Sequence, residues 1–208
     1  MKMTIKAGNL KEVIKELNKN AKQAEKVLTA TGRDLYRRVP GRVADDVRAV
    51  YNIKKSAITP TSKADAKKGT RKAGSVRVKG VTVSDVSIVY KGRLLSISRF
   101  GMTPRTPAEQ SKGKRVHRRR KVKAMVKRGG KKVVHSQAFL GHTGARTSDK
   151  TQFIAWKRTG PGRYPIEPIR SVSLPQMISN ESVREKINSD INEMLQKRLA
   201  NNIKRFIK

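Results

Sequence analysis

Between residues 110 and 148 the chain carries no acid, while Lys112, Lys114, Arg115, Arg118, Arg119, Arg120, Lys121, Lys123, Lys127, Arg128, Lys131 and Lys132 crowd its first half. An ionised side chain loses its hydration on burial, and no acid in this stretch could replace that hydration. The segment can therefore fold only with its cations outward. Val122, Ala124 and Val126 alternate with Lys121, Lys123 and Lys127, which predicts a strand with one apolar and one positive face. Gly129 and Gly130 supply a turn and Val133 opens a return arm, so a basic hairpin is expected over residues 121–134, running on toward Phe139 and Leu140.

The excess extends over the whole chain. Fifty Lys and Arg face 15 acids, a formal net charge of +35, far beyond what solubility requires. Such a surplus calls for a polyanion or an acidic protein neighbour. Nucleic acid fits because each neutralised phosphate releases condensed counterions. The candidate contacts are Arg115, Arg118, Arg119, Arg120, Lys121, Lys123, Lys127, Arg128, Lys131 and Lys132. Phosphate contact, contact with acidic protein and simple solvation of loop charges all fit these residues. Base-specific readout is not expected, since no helix-turn-helix, zinc finger or RNA-recognition aromatic pair is visible. Trp156, the one tryptophan, reads as a core or interface anchor rather than a stacking platform.

A chain of 208 residues can build one ordinary core, so a single domain over 1–208 is the expectation. Leu10, Val13, Ile14, Leu17, Ala21, Ala24, Leu28 and Leu35 recur at helical spacing and predict a long amphipathic helix. Pro40 and Gly41 punctuate it, and Val43, Ala44, Val47, Val50 and Tyr51 resume the pattern, which fits a kink or a helix pair. One more turn is expected near residues 53–58. Basic loops are expected near 61–74 and 103–120. Val76, Val78, Val81, Val83, Ile88 and Tyr90, with Lys91 and Gly92 as a turn before Leu94, Leu95 and Ile97, predict two or three strands. Residues 141–150 read as a loop and residues 153–156 as an edge strand, after which the prolines prevent any long element. Ser173 can cap a helix near 174–207, with Val183, Ile187, Ile191, Leu195, Leu199, Ile203 and Phe206 as its stripe. The expected class is α+β: a central antiparallel sheet with long N-terminal and C-terminal helices. Leu17, Leu28, Phe100, Phe139, Trp156, Pro175, Ile191 and Leu195 are the candidate core or interface anchors. With so few aromatic residues, the long helices are also expected to complete their burial against further copies of the chain.

Catalytic chemistry has no constellation to stand on, and no cofactor or metal is expected. There is no cysteine, and the three histidines, His117, His135 and His142, lie near no acid in sequence except Glu109 and Asp149. Asp45 and Asp46 are adjacent on a predicted helix and diverge. Gly129 and Gly130 lack the spacing of a nucleotide-binding loop. No apolar run resembles a signal peptide or a membrane span, so a soluble intracellular protein without membrane association is expected.

Several segments occur in one order. They are residues 37–55 with Tyr51-Asn52-Ile53-Lys54, the run Leu95-Ser96-Ile97-Ser98-Arg99-Phe100-Gly101, the basic hairpin leading to Ala138-Phe139, and the closing run from Pro165-Ile166 to Ser171-Val172-Ser173-Leu174-Pro175-Gln176-Met177. In this the chain resembles the prophage minor tail protein Z family, over residues 39–177 and loosely into both helices. The resemblance implies a non-enzymatic tail-completion protein of long, non-contractile tailed phages. It would sit at the head-proximal end of the tail, in the virion, after assembly in the host cytoplasm. Implied partners are other copies of the chain in a homo-oligomeric ring, a tail-tube or tail-terminator protein, neck or connector proteins and the genomic DNA end. The alternative is a free, non-specific nucleic-acid-binding protein.

Overall fold

The apolar stripe near the start folds as one helix that runs straight through its proline, α1 (Ala21–Val50), rather than as a helix pair. The computed structural model describes residues 2–6, 21–59, 75–82, 85–112, 119–147 and 150–206. The expected first turns of the helix, with Leu17, and the loop at 61–74 lie outside them. Pro40 removes the bond to the Tyr36 carbonyl, a defect worth roughly 3 kcal/mol in an isolated helix. Tyr36 is exposed, while Val39 and Val43 on either side of the proline are buried. That burial holds the helix together. The described residues form two compact units, Met1–Arg48 with Lys55–Arg93 and Ser173–Lys208, and Ala49–Lys54 with Leu94–Val172.

In the first unit the second long helix, α4 (Glu181–Phe206), runs antiparallel to α1. The register follows from three polar pairs. Asn202 donates to Thr31 at 3.0 Å, Arg42 donates to Asp190 at 2.7 Å, and Lys186 stands 3.7 Å from Asp46. Each step forward along α1 is thus matched by a nearly equal step back along α4. Along the same two helices Val27, Leu28, Leu35, Val43 and Val47 are buried on α1, and Val183, Ile187, Ile191 and Leu195 on α4. Two amphipathic stripes thus satisfy each other within one chain.

The helix expected over 174–207 is two helices. Ser173 caps α3 (Leu174–Ile178) through a reciprocal box, its main-chain N–H donating to Gln176 Oε1 at 2.8 Å and Gln176 N–H donating to Ser173 Oγ at 3.4 Å. Asn180 then restarts the chain. Its carbonyl accepts from Arg184 N–H at 2.8 Å, the first turn of α4, and its side chain accepts from the Ser182 hydroxyl at 2.8 Å. Helix α3 lies against a three-stranded antiparallel sheet of β1 (Lys2–Lys6), β2 (Ser75–Thr82) and β3 (Asp85–Lys91), in the order β1-β3-β2. β1 is too short for its alternation of Met3 and Ile5 with polar neighbours to stand out in the sequence.

The second unit holds the remaining strands, so the expected single central sheet is divided. β6 (Phe139–Thr147), β7 (Lys150–Arg158) and β8 (Ile166–Pro168) form another antiparallel sheet in that order. Residues 141–147, expected as loop, are therefore strand, with an irregularity in pairing between His142 and Arg146. Residues 153–156 lie in the middle strand, because the proline-rich stretch after them still supplies β8. Pro168 has no N–H to offer a further strand, which suits β8 to the edge. Leu94, Leu95 and Ile97 make no third strand beside β3. Ser171 N–H donates to the Leu95 carbonyl at 2.7 Å, and a 3-10 turn, Ile97–Phe100, follows at once. Lys91 and Gly92 therefore do not form a hairpin turn.

Among the described residues, no helix is long and apolar enough to cross a membrane. At the helix pair, burial and the neighbouring Asp190 charge raise the Asp46 carboxyl above the ordinary carboxylate range. The hydrogen bond from Arg42 holds Asp190 below it. The two act oppositely on stability. Asp46 stabilises the fold when protonated, and that contribution is lost as pH rises through its raised folded value; Asp190 contributes above its unfolded value and loses this as pH falls. Denaturation of Asp46→Asn should therefore show a gain relative to the parent at pH 7 that shrinks or reverses near pH 4. Ile187→Ala, at a side chain only 1% exposed, should cost about 2–5 kcal/mol at either pH.

Candidate functional site

The basic segment of the second unit is held by its backbone. Arg120 N–H donates to the Gln110 carbonyl at 3.1 Å, Lys123 and Thr103 exchange two main-chain bonds of 2.8 Å, and Met125 N–H donates to the Phe100 carbonyl at 2.9 Å. Asn52 N–H donates to the Val126 carbonyl at 3.0 Å, and Arg128 N–H to the Val50 carbonyl at 2.8 Å. Val134 N–H closes on the Val122 carbonyl at 2.9 Å. These anchors use peptide groups, which leaves the charged ends of the side chains pointing outward.

A hairpin does form, with β4 (Lys123–Ala124) paired to β5 (Lys132–Val133). It is much shorter than expected. Beyond Ala124 the outgoing arm turns to residues 50–52 for its hydrogen bonds, as the bridge between Tyr51 and Lys127 shows. Gly129 and Gly130 both adopt φ of 124°, a region that residues with a Cβ avoid, and they turn the chain as expected. The alternation also holds at its start, with Val122 and Ala124 buried and Lys121 and Lys123 exposed. Val133 departs from it, at 45% exposure. Nor does the return arm run on to Phe139: a turn intervenes, where Gln137 N–H donates to His135 Nδ1 at 3.2 Å and Ala138 N–H to the His135 carbonyl at 3.2 Å.

One residue without any signal in the sequence holds this arrangement. Helix α2 (Pro107–Ser111) occupies part of the expected loop at 103–120, capped by the Thr106 side chain, with the Glu109 carboxylate accepting from Arg105 N–H at 2.7 Å. It delivers Gln110, which is 3% exposed, between the two ends of the basic segment. Gln110 Nε2 donates to the carbonyls of Ala138 at 3.0 Å and Arg120 at 3.3 Å, and its Oε1 accepts from Leu140 N–H at 3.0 Å. The spacing of Thr106 and Glu109 is a helix-start signature, so α2 itself is legible. The burial of the glutamine that follows is not, since a lone amide makes no pattern.

Of the candidate contacts, Arg119, Arg120, Lys121, Lys123, Lys127, Arg128, Lys131 and Lys132 are exposed; Arg115 and Arg118 lie outside the described residues. Among the described residues Arg119, Arg120, Lys121, Lys123, Lys127 and Lys132 make no ion pair, and the Lys131 ammonium donates to the Thr103 hydroxyl. The second unit has 21 Lys and Arg against three acids, a balance of +18. Two of those acids are occupied, Glu109 at the cap and Glu167 at 3.4 Å from Lys157. The field over the segment is therefore uncompensated by its own unit.

The candidate anchors sort by burial. Leu28, Phe100, Pro175, Ile191 and Leu195 are buried, while Phe139 and Trp156 are half-buried. His135 serves its turn and His142 lies against Phe153 at 4.5 Å between ring centroids. Among the described residues, no group of three His, Cys, Asp or Glu could hold a metal. Comparison with family models, curated proteins and solved structures returned no match to this chain.

Gln110→Met keeps the volume but leaves the Ala138 carbonyl and the Leu140 N–H without their partner. It should cost at least about 2 kcal/mol in denaturant unfolding and speed amide exchange at Leu140.

Proposed function

We propose that this chain is a structural minor tail protein that completes the head-proximal end of a long phage tail, joins it to the neck and holds the genome end electrostatically. The observation that carries the reading is the exposed cationic segment, residues 119–132, anchored through its backbone in a unit with almost no acids. Phosphates are the partner such a surface suits. Its side chains address backbone charge and carry no base code, which fits a protein that meets whatever sequence lies at a genome end. The likeness of residues 39–177 to the minor tail protein Z family supplies the setting. Copies arranged about a closed axis would repeat the segment as a ring of positive potential around a lumen.

The electrostatic part is checked by charge reversal. Arg119, Arg120, Lys121 and Lys123 changed together to Glu should leave the thermal midpoint nearly unchanged, because none has an ion-pair partner among the described residues. Duplex DNA binding should weaken, and the slope of log affinity against log salt should fall by about 0.9 for each phosphate no longer neutralised. An unchanged slope would remove the role assigned to this segment. The tail part is checked by sedimentation with purified tails at about 0.5 M salt, where screening abolishes phosphate binding. Co-sedimentation or a closed oligomer is expected; a monomer without tail affinity would leave only a free nucleic-acid-binding protein.

A further inference from the structure

The sheet β6-β7-β8 has two unlike faces. Leu140 and Ala155, cross-strand partners, are buried. The alternate residues Phe139 and Trp156, also cross-strand partners, are half-buried, and Arg158 beyond them is exposed. The indole lies over Gly141, where a Cβ would stand 3.0 Å from its Cδ1, so the bare backbone makes room for the ring. The Arg158 guanidinium sits 5.2 Å from the centroid of Phe139, and its Nη1 donates to the carbonyls of Gly162 at 3.2 Å and Arg163 at 2.7 Å. Those two bonds tie the β7–β8 turn to the aromatic pair. On that turn Tyr164 is 68% exposed, with the Arg163 guanidinium 5.9 Å from its ring centroid.

Two rings and one guanidinium therefore share a face of the sheet, and the turn that Arg158 holds carries a third ring and a second guanidinium, in the unit whose charge balance is +18. A wholly apolar partner would leave these cations unpaired on burial, whereas a polyanion would not. Duplex DNA hides its base faces in the stack and offers phosphates and groove edges. An unpaired strand offers phosphates and open base faces together, which match cations interleaved with rings. We propose that this face binds single-stranded nucleic acid, with bases stacking on Tyr164 and on the open part of the half-buried Trp156, in place of the pure anchor role expected of it, and phosphates meeting Arg158 and Arg163. The proposal rests on the reading of this unit as a nucleic-acid binder, but on residues separate from the segment at 119–132.

Trp156 is the sole tryptophan, so its emission reports this face alone. The full chain is titrated with an oligothymidine, with a duplex and with heparin, a polyanion without bases, at about 0.2 M salt. The oligothymidine should quench Trp156 and heparin should not. Tyr164→Ala, at a position too exposed to threaten folding, should weaken oligothymidine binding by about fivefold or more and leave duplex binding unchanged. Tyr164→Phe should restore it. The charge-reversed segment 119–123 should lose duplex binding while keeping the oligothymidine quench, so failure of either reading is seen separately. Equal quenching by heparin, or an unaltered oligothymidine affinity in Tyr164→Ala, would overturn the proposal. So would loss of self-association in Tyr164→Ala without any change in strand binding, which would make the face a protein contact.

Discussion

Eight cations from residue 119 to residue 132 repel one another, and a segment carrying them cannot be held in place by pairing its own charges. The structure answers with peptide groups. Main-chain bonds to residues 50–52, 100, 103 and 110 fix the segment at intervals, and the buried amide of Gln110 joins its entry at Arg120 to the strand that follows at Ala138 and Leu140. Because a neutral amide does this, no acid is drawn in to neutralise the surface. A carboxylate in the same place would accept from Leu140 but donate to neither carbonyl, and even protonated it would offer one O–H for two acceptors. Positive potential outside and neutral hydrogen bonding inside are thus two sides of one arrangement.

The first unit distributes its polar groups differently. Its helices meet along apolar stripes, yet Thr31, Asp46, Asp190 and Asn202 are placed at the crossing points rather than on the solvent faces. An apolar stripe alone tolerates a slide by one turn, since the residues before and after are similar in size. The buried hydrogen bond from Asn202 to Thr31 does not, because sliding would leave the amide unpaired, and the more exposed pair of Arg42 with Asp190 marks the same register. These contacts favour one register over its neighbours, even where the net stability gained from each is small.

Much of the architecture is legible because it rests on periodicity. The stripe from Val183 to Leu195, the alternation of Val122 and Ala124 with Lys121 and Lys123, and the cap at Ser173 are local patterns, and each is found in the fold. The length and partnership of strands are not legible in this way. Residues 141–147 look like loop because Gly141, His142, Thr143 and Gly144 lack apolar alternation, but pairing of Gly141, His142, Arg146 and Thr147 with β7 keeps the segment in the sheet. Residues 126–128 read as the continuation of a hairpin arm, and instead bond to residues 50–52, far back in the chain.

The order of residues alone determined that the chain would be α+β, that long amphipathic helices would need apolar partners, and that residues 110–148 would have to turn their cations to solvent. Each follows from spacing or charge within a few turns of chain, where the forces are local. Only the tertiary structure decided that the two helices would serve each other, that the strands would divide between two units, and that a glutamine and two aromatic residues would stand where they do. Those outcomes depend on which distant peptide group or ring fills a given space, and chain order does not encode such a choice in any periodic signal.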